Sequence, residues 1–257
     1  MGKPRNGLVN EIALLQRFPQ ILRHQKLDES GECIFEYPYK HLNDLLKFTQ
    51  ETEYNIIHSP SPCFPKGDRS VVIFGIKSMP EHVDRRDAIR QTWLNRIIWE
   101  RLRFDVHIVF IIGHPGQVLD NEAALHGDIL QLNFTESHYM LPIKDHAYFD
   151  YIRYKCPEAD FAFKGDDDIL LIPENVAYLL ETMKGDNIVA TGCKKEHDVV
   201  MRDPVYKYFM PEEIYNHNEY PPYFSGAAYI MTGELALKGV TDDESIIKLK
   251  VIRTQTE

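Results

Sequence analysis

Three consecutive carboxylates, Asp166-Asp167-Asp168, follow a short apolar run in the stretch FAFKGDDDILLIP. Adjacent negative charges repel one another, so such a triplet is costly unless a cation neutralises it. In an extended chain alternate side chains point the same way, which would direct Asp166 and Asp168 to one point and Asp167 elsewhere. Two carboxylates suit Mg²⁺ or Mn²⁺ and leave coordination positions for phosphate oxygens. The triplet alone is equally consistent with a solvated turn that binds nothing.

A basic cluster lies in the stretch RRDAIRQTW. Arg86 and Arg90 are four residues apart and therefore share one face of a predicted helix. They follow the first predicted strand, near a sheet edge, where arginines can bind phosphate in bidentate fashion. The residues alone favour the alternative, a solvated basic face that pairs with acidic neighbours such as Asp87.

An aromatic segment, YPPYFSGAAYIMTGELA, lies near the end of the chain. The rings of Tyr220 and Tyr223 offer flat apolar faces with polar tips, which suit stacking on sugars. Pro222 keeps the chain extended, and the small residues around Gly226 allow a ligand to approach the backbone. The alternative is a core strand over 228–231 in which the aromatic rings fill gaps.

Short apolar strands alternate with helices between residues 70 and 192. Strands are predicted over 71–76, 106–112, 128–132, 161–164 and 187–191, and helices over 84–99, 118–125, 139–154 and 173–183. This alternation predicts an α/β fold with a mostly parallel sheet flanked by helices. Asp84 is expected to cap the first of these helices. Ligands bind at the carboxyl ends of the strands in such sheets, which is where the Asp triplet is expected.

The residues before this region have a different pattern. Helical pieces are predicted over 8–18 and 41–53, and the proline-rich stretch HSPSPCFPKGDRS follows them. The sequence therefore predicts an N-terminal helical or stem-like segment over 1–62, followed by a second domain over 63–257.

Composition narrows the classes of partner and compartment. The chain has 257 residues and a formal net charge of −10, so nucleic acid is not an expected partner. Its four cysteines form no CxxC pair, which disfavours a zinc site. No apolar run is long enough for a membrane helix, so any membrane anchor is expected outside these residues. Asn133 lies in an N-glycosylation sequon.

Three stretches in this order resemble the β-1,3-glycosyltransferase family, which includes β-1,3-galactosyl- and β-1,3-N-acetylglucosaminyltransferases. They are IKSMPEHVDRRDAIRQTW, FAFKGDDDILLIPENV and KYFMPEEIYNHNEYPPYFSGAAYIMTGELA. The resemblance implies a GT-A fold over 63–257, incomplete at its C-terminus, with Mn²⁺ or Mg²⁺ and inversion at the anomeric carbon. It also implies a UDP-sugar donor, a glycan acceptor on a glycoprotein or glycolipid, and a type II Golgi membrane protein with a lumenal catalytic domain.

The resemblance assigns roles to particular residues. Metal binding falls to Asp166 and Asp168. Cofactor binding is assigned to Arg86, Arg90, Lys77, Asp166 and Asp167. Substrate binding is assigned to Tyr220, Pro222, Tyr223 and Gly226. A disulfide between Cys63 and Cys156 is also implied.

The chain departs from the family where the general base is expected. Family members carry an acidic segment followed by Val-Tyr-x-Gly, whereas here Asp242, Asp243 and Glu244 lack that continuation and are the base candidates. Under the resemblance, three interpretations are open: a truncated, a divergent or an inactive family member, of which the truncated one is favoured. Besides the enzyme, two other functions stay open: a non-catalytic relative that binds UDP-sugar or a partner enzyme, and a structural or adaptor domain.

Overall fold

The structure, a computed structural model, describes residues 54–63, 67–116, 118–186, 188–212 and 214–238, together with 25–27, 29, 33–35, 39–40 and 42. Its strands are β1 (Gln25–Leu27), β2 (Cys33–Phe35), β3 (Ile56–His58), β4 (Ser70–Lys77), β5 (Phe104–Gly113), β6 (Ile129–Leu132), β7 (Phe161–Asp166), β8 (Ala190–Lys195) and β9 (Tyr223–Thr232). Its α-helices are α1 (Val83–Gln91), α2 (Arg96–Arg101), α3 (Asp120–His126), α4 (Leu141–Lys155), α5 (Pro173–Asp186) and α6 (Gly233–Lys238). A single 3₁₀ turn, His138–Met140, precedes α4.

A mixed sheet flanked by helices forms the centre of the fold. Among the described residues it has seven strands in the order β3-β6-β5-β4-β7-β9-β8. Strands β4, β5, β6 and β7 run parallel to one another, whereas β3, β9 and β8 each pair antiparallel with their neighbours. The predicted α/β class is confirmed. The strand predicted over 187–191 is displaced to β8, which reaches the sheet only through β9.

The chain divides into two compact units. The larger unit takes in the described residues of Tyr54–Glu136, Pro142–Lys195 and Pro222–Glu257, and the smaller unit those of Met1–Glu53, Ser137–Leu141 and Glu196–Pro221. The boundary predicted between residues 62 and 63 differs from this division. The two boundaries differ because β3 pairs with β6, which brings the chain into the sheet before residue 62.

The core of the larger unit lies on the central parallel strands. Both β4 and β5 are almost continuously apolar and are buried along nearly their whole length, as expected for strands covered on both faces. Phe74 packs with Trp99 and Phe163, and the ring centroids are 5.2 Å apart in both pairs. Each fully buried side chain of this size contributes about 1.5–3 kcal/mol to stability. The central strands are therefore a fixed platform for the residues at their ends.

The helix predicted over 84–99 is broken into α1 and α2. The break occurs because Asn95 is extended, and its side chain accepts a 3.0 Å hydrogen bond from the Ile97 N–H, which starts a new helix. Trp93 and Leu94 lie in the break and are buried. Asp84 is not the predicted cap, because α1 begins at Val83 and Asp84 lies inside its first turn.

A disulfide and several hydrogen bonds attach residues 54–63 to α4. Cys63 and Cys156 are joined, with their Cα atoms 4.9 Å apart, which is the pair that the family resemblance implied. The Tyr151 hydroxyl donates to the Ser61 carbonyl at 2.6 Å. The proline-rich stretch predicted as a linker is therefore tied down at its start. The helices predicted over 8–18 and 41–53 lie outside the described residues, apart from Leu42, which is buried.

Removing the disulfide should destabilise the larger unit. The two cysteines are 93 residues apart, and opening a loop of this size costs about 2–5 kcal/mol of unfolding free energy. Urea unfolding of Cys63→Ala/Cys156→Ala should therefore shift to lower denaturant. Cys193→Ala is the matched control, since Cys193 is exposed and unpaired in the described structure. Equal midpoints for the double variant and the control would contradict this role.

Candidate functional site

The carboxyl ends of β4 and β7 bring a lysine and an aspartate side by side. Lys77 and Asp166 are register partners at the last paired position of the two strands. The Lys77 ammonium lies 3.1 Å from Asp166 Oδ1 and donates to the Gly226 carbonyl at 3.3 Å. Lys77 is buried, whereas the Asp166 side chain is 40% exposed. Asp166 thus carries a partly solvated carboxylate held from one side.

Asp166 resists ionisation more than an ordinary aspartate. Burial raises the pKa of Asp166, and the nearby Asp168 charge adds to this effect while the Lys77 ammonium opposes it. A carboxylate with a raised pKa is one whose negative charge is incompletely compensated. Additional positive charge at this point would therefore be stabilised.

Asp167 points away from Lys77 and Asp166, and its carboxylate is hydrogen-bonded within the protein. One oxygen accepts hydrogen bonds from Ser78 Oγ and His82 Nδ1, both at 2.7 Å, and the other accepts from Arg85 at 2.9 Å. Burial alone would raise the pKa of Asp167, but these three bonds hold it below its ordinary value. Asp167 thus anchors the loop after β4 and the start of α1, and its role in cofactor binding stays a prediction.

Asp168 is exposed and follows the strand end. The strand-alternation argument for Asp166 and Asp168 is wrong in its geometry, because β7 ends at Asp166 and residues 167–168 form a turn. Its separation of Asp167 from the other two carboxylates nevertheless agrees with the structure. Asp168 remains close enough for its charge to raise the pKa of Asp166.

Arg86 is a buried structural residue. Its side chain is fully buried, and it makes a bidentate pair with Glu122 at 2.6 and 2.7 Å. Its remaining N–H groups donate to Ser78 Oγ and to the carbonyls of Met79 and Pro80. The donors of Arg86 are thus occupied within the protein, and phosphate binding by this residue stays a prediction.

Arg90 is also held by carboxylates. It donates two 2.8 Å bonds to Asp128, one 2.8 Å bond to Glu122 and one 2.7 Å bond to Asp87. Its guanidinium lies 4.8 Å from the centroid of the Phe110 ring. Phosphate binding by Arg90 likewise stays a prediction, and neither arginine forms the solvated face that the residues alone favoured. Burial opposes ionisation of Glu122, but the two arginines hold its pKa below the ordinary value.

Arg85, which has no predicted role, is the exposed arginine of this helix. Its side chain is 48% exposed and donates one bond, to Asp167. A signal for this was present: Ile89 and Trp93 lie three and seven residues after Arg86, so the apolar face of the helix includes Arg86 and turns it inward. Arg85 is thus the arginine of α1 best placed to meet a ligand.

Two further buried ion pairs surround this edge. The Lys144 ammonium donates to the Ser78 carbonyl at 2.7 Å and pairs with Glu136; burial lowers the pKa of Lys144 and raises that of Glu136. Lys164 pairs with Asp145, whose Oδ1 atom has no hydrogen-bond partner among the described residues. Lys164 lies in an apolar strand, and Lys144 and Asp145 lie in a helix. Nothing in these positions indicated that the side chains would form buried ion pairs.

The predicted substrate segment is split between the two units. Pro222, Tyr223 and Gly226 belong to the larger unit, where Pro222 is exposed and the other two are half-buried. Tyr220 belongs to the smaller unit, where it is buried and stacks on Tyr215 with ring centroids 5.3 Å apart. Burial raises the pKa of Tyr220 to about 12. One face of the Tyr220 ring is thus covered by Tyr215, and sugar stacking by Tyr220 stays a prediction.

The small residues of β9 allow close backbone packing beside Asp166. The β8–β9 register shifts between Gly192 and Lys194, so residues 225–228 have no register partner on β8, although Ala228 pairs with Gly165 on β7. A Cβ atom on Gly165 would lie 3.0 Å from the Ala227 carbonyl oxygen, so glycine there lets β9 approach β7 closely. This approach brings the Gly226 carbonyl within reach of Lys77.

The remaining predicted site residues lie elsewhere. Asn133 is exposed, and its side-chain oxygen accepts a hydrogen bond from the Asn55 N–H. The base candidates Asp242, Asp243 and Glu244 lie outside the described residues. The described part of the chain holds no group of three or more histidine, cysteine, aspartate or glutamate side chains arranged to bind a metal ion.

Comparison with known proteins adds independent findings. The galactosyltransferase family model matches residues 84–250. Human N-acetyllactosaminide β-1,3-N-acetylglucosaminyltransferase 4 is 34% identical over 70% of this chain and 48% of its own length. Human acetylgalactosaminyl-O-glycosyl-glycoprotein β-1,3-N-acetylglucosaminyltransferase is 30% identical over 79% of this chain and 55% of its own length. The chain thus spans about half the length of these curated relatives.

Other comparisons are less informative. A 4-diphosphocytidyl-2C-methyl-D-erythritol synthase from Anaerococcus prevotii matches 71% of this chain and 83% of its own, with 15% identity and a TM-score of 0.34. This likeness is too weak to assign a fold.

None of the helices in the described ranges is long and apolar enough to cross a membrane.

Truncating Arg86 should destabilise the protein far more than truncating its neighbour. Arg86→Ala removes the buried donor to Glu122 and Ser78. Breaking a buried ion pair in this way lowers the free energy of unfolding by about 3–5 kcal/mol. Arg85→Ala is the matched control and should cost under about 1 kcal/mol, because Arg85 is half exposed. Urea unfolding followed by circular dichroism measures both. Similar midpoints for the two variants would show that Arg86 is not a structural residue.

Proposed function

The chain belongs to the galactosyltransferase family of β-1,3-glycosyltransferases, and we propose that it transfers a sugar from a UDP-sugar donor to the 3-hydroxyl of a glycan acceptor. The names of its relatives favour N-acetylglucosamine as the sugar. The observation that carries the proposal is the placement of Asp166 at the end of β7 and of Asp168 just beyond it, at the carboxyl edge of the parallel strands. A glycoprotein or glycolipid would carry the acceptor.

Asp166 and Asp168 fit a divalent cation shared with a diphosphate. Oxygen ligands suit Mn²⁺ and Mg²⁺, and an ion held by one or two carboxylates takes its other ligands from phosphate and water. The partly exposed, incompletely compensated Asp166 carboxylate is consistent with such an ion. When bound, the ion would supply positive charge to the diphosphate oxygens.

Other residues would stabilise the leaving group and orient the donor. A nucleoside diphosphate gains negative charge as the glycosidic bond breaks, and fixed positive groups lower the barrier. The Lys77 ammonium and the half-exposed Arg85 guanidinium are the positive groups at this edge that fit the role. Tyr223 and the backbone at Gly226 lie on the strand beside Asp166 and are assigned to the sugar.

We infer that transfer proceeds with inversion. The acceptor hydroxyl attacks the anomeric carbon from the face opposite the diphosphate, and an acidic side chain takes its proton. A single displacement needs no enzyme nucleophile. Asp242, Asp243 and Glu244 remain the candidates for the base.

An oxidising lumen, such as that of the Golgi, is the proposed compartment. Two observations support it: the Cys63–Cys156 disulfide and the exposure of Asn133 in its sequon. The unfolding experiment on the cysteine variants bears on this too, since a chain equally stable without the disulfide has no need of such a compartment.

Neutralising Asp166 and Asp168 should abolish metal-dependent nucleotide binding. We expect Asp166→Asn/Asp168→Asn to lose nearly all Mn²⁺-dependent affinity for UDP in calorimetry, because both oxygen ligands to the ion lose their charge. The variant should stay folded, since removing clustered like charges relieves repulsion.

Glu174→Gln/Glu181→Gln is the control for that experiment. It removes two negative charges from exposed positions of α5 and should bind UDP and Mn²⁺ as the unaltered protein does. If the aspartate variant keeps its Mn²⁺-dependent affinity for UDP, Asp166 and Asp168 do not hold a cation that binds the diphosphate. Absence of UDP binding by the unaltered protein would reject the donor assignment.

A further inference from the structure

Lys77 contacts residues of two neighbouring strands beside Asp166 and Asp168, the proposed metal ligands. It ends β4, its register partner Asp166 ends β7, and its second partner, the Gly226 carbonyl, lies on β9. The bonds are 3.1 Å to Asp166 Oδ1 and 3.3 Å to the Gly226 oxygen. Two acceptors and burial of the side chain fix the ammonium in place.

The Lys77 charge acts against a cation at the same carboxylates. It compensates one of the two negative charges of Asp166 and Asp168, so a divalent ion that arrives alone meets one uncompensated charge and a neighbouring ammonium. Charges a few ångströms apart in a partly buried site interact by about 1 kcal/mol or more. A cation alone should therefore bind weakly.

A diphosphate reverses this balance. Its oxygens carry negative charge that can be shared between the ammonium and the cation, so the repulsion between the two positive groups is offset. The ammonium that weakens binding of the free cation thereby strengthens binding of the cation with nucleotide.

We propose that Lys77 makes divalent-cation binding at Asp166 and Asp168 conditional on a nucleoside diphosphate. This inference rests on the proposed function and adds a positioning residue to it. Lys77 thus disfavours binding of a cation to the empty site. The cation binds with the nucleotide rather than before it. A purely structural ion pair would affect stability without changing this dependence.

The test compares neutral and charged replacements of Lys77. Lys77→Met and Lys77→Gln remove the charge, and Lys77→Gln keeps a donor for the Asp166 and Gly226 oxygens. Lys77→Arg keeps the charge, and Lys155→Met, at an exposed position of α4, is the control for loss of one lysine. Three dissociation constants are measured at fixed ionic strength: Mn²⁺ alone by electron paramagnetic resonance, UDP alone by calorimetry, and UDP with saturating Mn²⁺ by calorimetry.

We expect the neutral variants to bind Mn²⁺ alone at least about tenfold more tightly than the unaltered protein. The same variants should bind UDP with Mn²⁺ more weakly, while Lys77→Arg and Lys155→Met should change neither constant by more than about twofold. Unchanged or weaker Mn²⁺ binding by the neutral variants would overturn the proposal. So would loss of folding in both neutral variants with Lys77→Arg intact, because Lys77 would then be a structural ion pair.

The unaltered protein separates this proposal from the proposed function. If it binds no UDP in the presence of Mn²⁺, the donor assignment fails and the Lys77 proposal fails with it. If it binds UDP with Mn²⁺ and the neutral variants do the same with unchanged constants, the Lys77 proposal alone is wrong.

Discussion

Three like charges at the end of one strand can coexist because each is met by a different environment. Asp167 is buried and bound by Ser78, His82 and Arg85, whereas Asp166 is half exposed and paired with Lys77. Asp168 faces solvent. The parallel register of β4 and β7 makes this possible, since it sets Lys77 beside Asp166 and brings Ser78 to Asp167. The proposed chemistry depends on this separation of charge.

The buried arginines make the edge rigid. Arg86 and Arg90 share Glu122, and Arg90 also binds Asp128, so α1 is fastened to α3 and to the start of β6. Arg86 also holds the carbonyls of Met79 and Pro80, which fixes the loop that carries Ser78 and His82. Buried ion pairs contribute little net stability but are costly to break, so they favour one arrangement of this loop.

The carboxyl ends of the central parallel strands could be predicted closely from sequence, whereas the position of β8 and the directions of several strands and side chains could not. Runs such as SVVIFGIK are apolar enough to mark a buried strand and therefore its carboxyl end. Nothing in such a run encodes direction, so the antiparallel entry of β9 beside β7 had no signal. The inward turn of Arg86 was readable from its spacing to Ile89, but an arginine paired with a distant Glu122 requires a tertiary contact that no local pattern specifies.

Product formation is the most direct test of the proposed transfer. The chain is incubated with UDP-N-acetylglucosamine, Mn²⁺ and a galactose-terminated acceptor, and the linkage of the product is determined by nuclear magnetic resonance. The expected result is a product with N-acetylglucosamine β-linked to the 3-hydroxyl of galactose, absent when Mn²⁺ is chelated. Failure to form any product from UDP-N-acetylglucosamine or UDP-galactose, with UDP binding intact, would contradict a catalytic role for this chain.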